Sequence, residues 1–296
     1  MQENVWQYHR TVAGPWNQHS LRQLLSKDWL IPKYLIRALR TNQRVLVNHQ
    51  YQPVNQLIQE NDQIDLTFKA SDFPHLPHPI TPDSSAPVVV AYEDDTLLIV
   101  NKRRGEKTHP NQPQEIGSTL NFVAAYLNAK NEAPYMVHRL DMATSGALIV
   151  AKSPAVVPIL NRQISSKIIK RQYLTWVHGN HLPTTGTIKL PIGRDPLDKR
   201  KRMVAGLSPQ SAVTHYQVLA SRANYSLLKI NLETGRTHQI RVHLAAIGHS
   251  LVGDPLYSHD AVEQPMLLHS WQVQFPLPFT DDWHTITVAP PTDFWQ

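Results

Sequence analysis

The sequence predicts an α+β protein: a large domain on a mainly antiparallel, mixed sheet with flanking helices, preceded by a small α/β module. Three observations carry this. Strand-like runs outnumber helical ones beyond residue 88 and follow one another in hairpin order, which favours an antiparallel sheet. The helical signals are few and carry their own start or stop residues. Between Ala70 and Val88 the chain holds Pro74, Pro77, Pro79, Pro82 and Pro87, and proline removes backbone donors and drives the residue before it toward extended conformations. We therefore expect a module over 1–70, a linker over 71–87 and the large domain over 88–296. A chain of 296 residues has room for that division at ~100–200 residues per domain.

In the module, Leu21, Leu24 and Leu25 suggest one short helix. A second opens at Pro32, a residue suited to a first turn, and runs to about Arg40. Lys33, Arg37 and Arg40 fall within one arc of it, and Leu35 and Leu39 point the other way. Arg44–Asn48 and Gln63–Phe68 read as strands, with Glu60–Asp62 as the turn before the second. The basic arc reads equally as a solvated helix face.

In the large domain, Val88–Tyr92, Leu97–Asn101, Ala147–Ala151, Gln172–Val177, Ala212–Leu219 and Tyr225–Leu232 read as strands. Ser118 caps a helix with Leu120, Val123, Ala124 and Leu127 on one face. Ser153-Pro154 opens another that carries Val157, Leu160, Ile164 and Ile168. A third spans Thr237–Ile247, stopped by Gly248.

Composition narrows the function classes. With 29 Lys+Arg against 23 Asp+Glu, a net charge of +6 and a pI near 9.4, the chain suits a polyanionic partner such as nucleic acid. It has no cysteine, which excludes disulfides, thiolate metal sites and a cysteine nucleophile. No secretory signal opens it, and the apolar-leaning run Met142–Ala151 is far short of the ~20 residues of a membrane span. A soluble, cytoplasmic protein with no membrane association is expected.

The segment His138-Arg139-Leu140-Asp141-Met142-Ala143-Thr144-Ser145-Gly146 sets a carboxylate in a polar turn between apolar stretches. Local physics allows a plain Asx turn there, with Asp141 only satisfying backbone N–H groups. As a motif, H-R-L-D-x-x-T-S-G resembles the signature of RluA-type RNA pseudouridine synthases. Seven specified positions match a given site by chance on the order of once in a billion at even residue usage. Further blocks resemble the same family in the same order. They are Leu98–Lys102 with Gly105 and His109-Pro110, Lys170–Tyr173 leading to Val177–Gly179, and Leu190–Pro196. Thr234–His243, Gly253–Tyr257 and Leu267–His269 complete them. Arg103 stands where the family usually has proline. The module resembles the α-L RNA-binding domain that precedes many such enzymes, with Asn48-His49 in place of the usual Asn-Gly turn.

The resemblance implies an isomerase of RNA uridines. Asp141 is then the catalytic carboxylate, Arg241 its partner, and Tyr173 the tyrosine that packs on the uracil. Breaking the bond from ribose carbon 1′ to uracil nitrogen 1 and rejoining at carbon 5 changes no oxidation state, so no cofactor is needed. The carboxylate acts by attack on sugar or base, or by removing the 2′ proton. A guanidinium beside it offsets the cost of burying its charge. Arg139 is a candidate to fill the space left by a flipped base. His138, Thr144, Arg236, His238, Lys102, Lys170 and Arg171 are expected to meet substrate. Lys33, Arg37 and Arg40 of the module are expected to meet RNA, as are Lys167, Arg194, Lys199, Arg200, Lys201 and Arg202. His238 and His243 lie roughly 140° apart on a helical wheel, so no metal site is expected.

Ribosomal RNA is expected as substrate ahead of transfer RNA, and the chain is expected to act as a monomer. A glycoside hydrolase or nucleosidase also works at an anomeric carbon but wants paired carboxylates; no second acid is expected in the matched motifs. A catalytically weak RNA-binding or ribosome-assembly protein is the non-enzyme alternative, against which the set Asp141, Tyr173 and Arg241 stands.

Overall fold

The structure is a computed structural model that describes residues 4–258 and 264–295. The chain opens with β1 (Val5–Thr11), then helix α1 (Leu21–Gln23), which continues as a π-helical stretch Leu24–Asp28, and α2 (Lys33–Thr41). Strands β2 (Val45–Val47), β3 (Gln50–Tyr51) and β4 (Gln63–Lys69) follow. Together the strands form an antiparallel sheet of order β1-β4-β2-β3. Asn48 and His49 both take positive φ, 51° and 65°, the conformation a two-residue hairpin turn demands. The Asn48 side chain holds the turn through Asp62 Oδ1 at 2.8 Å and the Gln63 N–H at 2.9 Å.

The large domain begins with β5 (Val90–Glu93), β6 (Leu97–Lys102), α3 (Thr119–Asn128), β7 (Tyr135–Met136), β8 (Ser145–Ala151) and α4 (Val157–Ser165). It continues with β9 (Lys170–His178), β10 (Thr185–Ile188), β11 (Ile192–Arg194), β12 (Arg202–Val204), β13 (Leu207–Gln210), β14 (Thr214–Arg222) and β15 (Tyr225–Leu232). Helix α5 (Gln239–Ala246), β16 (Leu268–Pro276) and β17 (Trp283–Thr287) complete it. Ten strands form one sheet of order β10-β14-β15-β9-β16-β8-β6-β5, with β17 on β16 and β7 on β8; β11, β12 and β13 form a small sheet of their own. Every pairing in the large sheet is antiparallel except β8 with β16. The expected α+β class holds.

Period-two alternation explains the layering. Leu98, Val100, Leu148 and Val150 pack with Leu120, Val123 and Leu127 of α3. Their neighbours Leu97, Ile99, Ala147 and Ile149 face the opposite way, onto Ile159 and Leu160 of α4. Strand β8 is therefore apolar on both faces, as a strand covered on both sides must be.

Of the strands that sequence reading does not anticipate, β1 and β16 are the instructive ones. In β1 burial alternates, with Trp6, Tyr8 and Arg10 facing inward, but only Tyr8 is fully buried and the run holds too few apolar residues to read as a strand. Strand β16 lies centrally yet carries His269 and Ser270 in its buried part. Both are satisfied: His269 Nδ1 lies 2.8 Å from Ser145 Oγ and Nε2 2.9 Å from the Val288 carbonyl, and Ser270 Oγ donates to the Ala147 carbonyl at 3.0 Å. Two helix starts also move. Ser153–Val156 forms a turn, so α4 opens at Val157. Helix α5 opens at Gln239 because His238 takes φ 58°.

The module and the large domain share one core. Tyr8, Trp29 and Phe68 surround Phe279, with ring centroids 4.8, 5.6 and 6.5 Å away. Tyr8 Oη lies 2.6 Å from Ser153 Oγ, and Arg10 grips Asp95 at 2.7 and 2.8 Å. The proline-rich segment is pinned as well. The Thr81 carbonyl accepts from Asn121 of α3 at 2.8 Å, and Asp83 accepts from the Gly117 N–H at 3.0 Å. The proline-rich segment therefore does not act as a free tether, because burial of these aromatic rings holds the module and the large domain together.

Burial of neutral histidine gives a stability prediction. Burial pushes His269 down to about 4 and His138 down to about 3, the latter with help from Arg171. The unfolded chain takes up these protons near ~6.5 while the fold refuses them until far lower. The unfolded state thus binds more protons in that window and stability falls with pH, by up to ~1.4 kcal/mol per pH unit for each ring. Urea unfolding should show this loss between about pH 7 and about pH 5.5, and His269→Gln should lessen it. A stability unchanged over that interval would mean that the fold accepts both protons.

Candidate active site

Asp141 stands in the loop between β7 and β8, at the head of a turn closed by the Thr144 N–H on the Asp141 carbonyl at 3.0 Å. The backbone on both sides of it is tied down. Thr108 Oγ1 donates to the Leu140 carbonyl at 2.7 Å and accepts the Leu140 N–H at 3.1 Å. The Gly105 N–H reaches the Met142 carbonyl at 2.8 Å. Lys102, wholly buried at the end of β6, donates to the carbonyls of Arg103, Met142 and Thr144 at 2.9, 3.2 and 2.8 Å. Burial pushes its ammonium down to about 8, against the pull of Glu106 and Asp141. Gly146 follows with φ 105°, and a Cβ there would sit 2.2 Å from the Ser270 carbonyl oxygen. Only glycine lets β8 and β16 approach at that point.

Helix α5 brings Arg241 to the carboxylate. Its Nη1 donates to Asp141 Oδ2 at 3.3 Å, while Nε and Nη2 form a two-toothed pair with Asp254 at 2.8 and 2.7 Å. Arg241 is 3% exposed and Asp254 0%, so water neither screens the pair nor replaces it. Burial opposes the charge on Arg241, but Asp254 and then Asp141 outweigh it and raise its pKa. His238 Nε2 lies 3.7 Å from the same Asp141 oxygen. Burial lowers the pKa of His238 against the pull of Asp141, which favours the neutral ring. Tyr173 of β9, 5% exposed, lines the cleft together with Arg139, Arg171 and Arg236.

The cleft thus gathers Asp141, Tyr173, Arg241, Arg139, Thr144, Arg171, Arg236 and His238 of the expected residues. It does not gather Lys102, His138 or Lys170. Lys102 spends its donors beneath the Asp141 loop, and His138 turns inward, its Nε2 accepting the Ile149 N–H at 3.1 Å. Lys170 is exposed at the start of β9, away from the cleft lining. Arg236 is partly engaged, donating to Gln210 Oε1 at 2.7 Å and the Ser211 carbonyl at 3.1 Å. Two residues that sequence reading left without a role are Asp254 and Tyr257. Asp254 is a second acid within the matched motifs, but its oxygens are committed to Arg241 and to the N–H groups of Leu256 and Tyr257 at 2.9 and 3.2 Å. It is not free to act as a glycosidase's second carboxylate. The signal for it was an acid between glycine and proline in an otherwise apolar run.

Among the described residues no cluster of three or more metal-ligating side chains occurs, and no helix is long and apolar enough to cross a membrane.

Comparison with known proteins puts this sheet and cleft in the class of RNA-modifying isomerases. Residues 96–246 match the family model described as RNA pseudouridylate synthase, and residues 8–64 match that of the RluD ribosomal pseudouridine synthase N-terminal domain. A Bacillus subtilis RNA pseudouridine synthase, YhcT, is 36% identical over 84% of this chain and 82% of its own. Ribosomal large subunit pseudouridine synthase D of Neisseria meningitidis serogroup B is 33% identical over 85% and 70%. Human RNA pseudouridylate synthase domain containing 1 shares the fold, with a TM-score of 0.60 at 24% identity over 72% of this chain and 87% of that one. The chain belongs to the RluA-type RNA pseudouridine synthases and carries an N-terminal domain like that of RluD.

Proposed function

We propose that the protein isomerises uridines of ribosomal RNA to pseudouridine, with Asp141 as the catalytic carboxylate. The observation that carries this is that Asp141 is the one acid among the described residues lining the cleft, held between Arg241 and His238. Arg241 Nη1 donates to Asp141 Oδ2 at 3.3 Å, and every route from Asp141 uses that carboxylate, whether by attack on sugar or base or by removal of the 2′ proton. The bond from carbon 1′ to nitrogen 1 breaks and one from carbon 1′ to carbon 5 forms. Carbon 5 gives up its proton and nitrogen 1 gains one, so atoms balance without a co-reactant. Tyr173 supplies a flat wall for the uracil. Arg139, exposed at the rim, is placed to enter the stack a flipped base leaves.

The ribosomal choice is supported by the match of residues 8–64 to the RluD ribosomal N-terminal domain and by the likeness to the Neisseria ribosomal large subunit synthase. Mapping pseudouridines in ribosomal and transfer RNA from cells with and without this gene tests it. Loss of a site confined to transfer RNA would overturn the choice of substrate, and no lost site at all would overturn the activity.

The module's role has its own test. Lys33, Arg37 and Arg40 are exposed on α2, while Leu35 and Leu39 are buried. If each cation meets a phosphate, changing all three to alanine should lower RNA affinity and flatten its salt dependence by ~2–3 units of slope. An unchanged slope in a filter-binding titration would assign the stripe to solvent.

A further inference from the structure

We propose that Tyr257 is a positioning residue that fixes the tautomer of His238 and the plane of Arg241, so that both aim N–H groups at Asp141. The inference rests on Asp141 being the catalytic carboxylate and names what orients it.

A tyrosine hydroxyl has one proton to give and lone pairs to accept with. Here the Arg202 N–H donates to it at 2.8 Å. The same oxygen lies 2.9 Å from His238 Nδ1. Only two assignments satisfy that contact: either the hydroxyl donates to Nδ1, or Nδ1 carries the ring proton and donates outward. In the neutral ring, one nitrogen holds the single N–H. If it were Nδ1, the lone pair of Nε2 would face Asp141 Oδ2 at 3.7 Å, acceptor against carboxylate. With the hydroxyl as donor, Nε2 carries the proton and the same approach becomes attractive. The bond from Arg202 occupies an acceptor position of the hydroxyl and polarises it toward donation. The order therefore runs in one direction, from the Arg202 N–H to Tyr257, to His238, to Asp141.

Two further observations agree. His238 sits at φ 58°, ψ 19°, a region that residues with a Cβ seldom adopt and that surrounding structure must enforce. That backbone carries its ring out of the helical path and toward Asp141. The Tyr257 ring meets Arg241 as well, its face 5.1 Å from the guanidinium carbon, and stands edge-on to the His238 ring at 5.7 Å and 80°. One side chain thus touches both residues that approach the carboxylate. Its own main-chain N–H is held by Asp254, which also grips Arg241. Arg202 belongs to β12 of the small sheet, so hydrogen bonds join that sheet to His238, whose Nε2 approaches Asp141 Oδ2 to 3.7 Å.

Removing only the hydroxyl tests this. Tyr257→Phe keeps the ring against Arg241 but frees the His238 tautomer. Single-turnover rates at saturating RNA should fall about tenfold or more, with RNA affinity and melting temperature unchanged. The decisive background is His238→Gln, whose amide offers an N–H donor whatever its neighbour does. There Tyr257→Phe should change the rate by less than about twofold, because the hydroxyl acts only through the imidazole. A wild-type rate for Tyr257→Phe, or an equal loss in both backgrounds, overturns the proposal. Asp141→Asn is run beside them. If it keeps its activity, the reading of Asp141 fails; if it is inactive while Tyr257→Phe runs at the wild-type rate, only the role of Tyr257 fails.

Discussion

Asp141→Asn is expected to abolish pseudouridine formation while leaving the fold intact. Asparagine fills the same volume and can still accept from Arg241, and the turn around it is held by Lys102, Thr108 and Gly105 rather than by the carboxylate. What disappears is the negative charge and with it both the nucleophile and the base. No other acid among the described residues lines the cleft, and Asp254 is committed to Arg241. A single-turnover assay on total RNA should therefore show a loss beyond ~10³-fold, about 4 kcal/mol of barrier at ~1.4 kcal/mol per decade. Activity within about tenfold of wild type would remove Asp141 from the mechanism.

Arg241→Lys is expected to cost both rate and stability although the charge is kept. The guanidinium makes three directed contacts at once, two to Asp254 and one to Asp141. A lysine ammonium lacks the planar fork. It cannot span both carboxylates in that geometry, and Asp254 is wholly buried. Loss of a partner inside a buried pair costs ~3–5 kcal/mol, so a clear drop in melting temperature should accompany a ~10²-fold or larger fall in turnover. Asp254→Asn should reproduce much of the loss, since it releases Arg241 from the other side. Wild-type rates in Arg241→Lys would make Arg241 a structural cation with no part at the carboxylate.

Local patterns made much of the fold legible. Ser118, with Asn121 completing a capping box, marked α3, and the alternation of Tyr225–Leu232 marked β15. Strand β16 stayed hidden because its buried His269 and Ser270 look polar until their partners, far away in sequence, are known. The site divides the same way. Asp141, Tyr173 and Arg241 carry their chemistry in their residue type and family motif, and the structure brings them together. Lys102 reads from sequence as a cation at a strand end that should face substrate. Its burial is decided by three carbonyls that the Asp141 loop turns toward it. Asp254 could be assigned only once the loop after α5 was seen to return beneath Arg241; His238 was expected at the site from its motif, but not its left-handed backbone.

The aromatic cluster around Phe279 has a consequence for target choice. Because Tyr8, Trp29 and Phe68 close on that ring, anything grasped by the exposed face of α2 is held at a set spacing and bearing from Asp141. An enzyme so built works as a caliper. With α2 on RNA as proposed, it would select uridines by how far, and in which direction, they lie from a second feature of the folded RNA, and two uridines in identical sequence surroundings would become different substrates when that feature is moved.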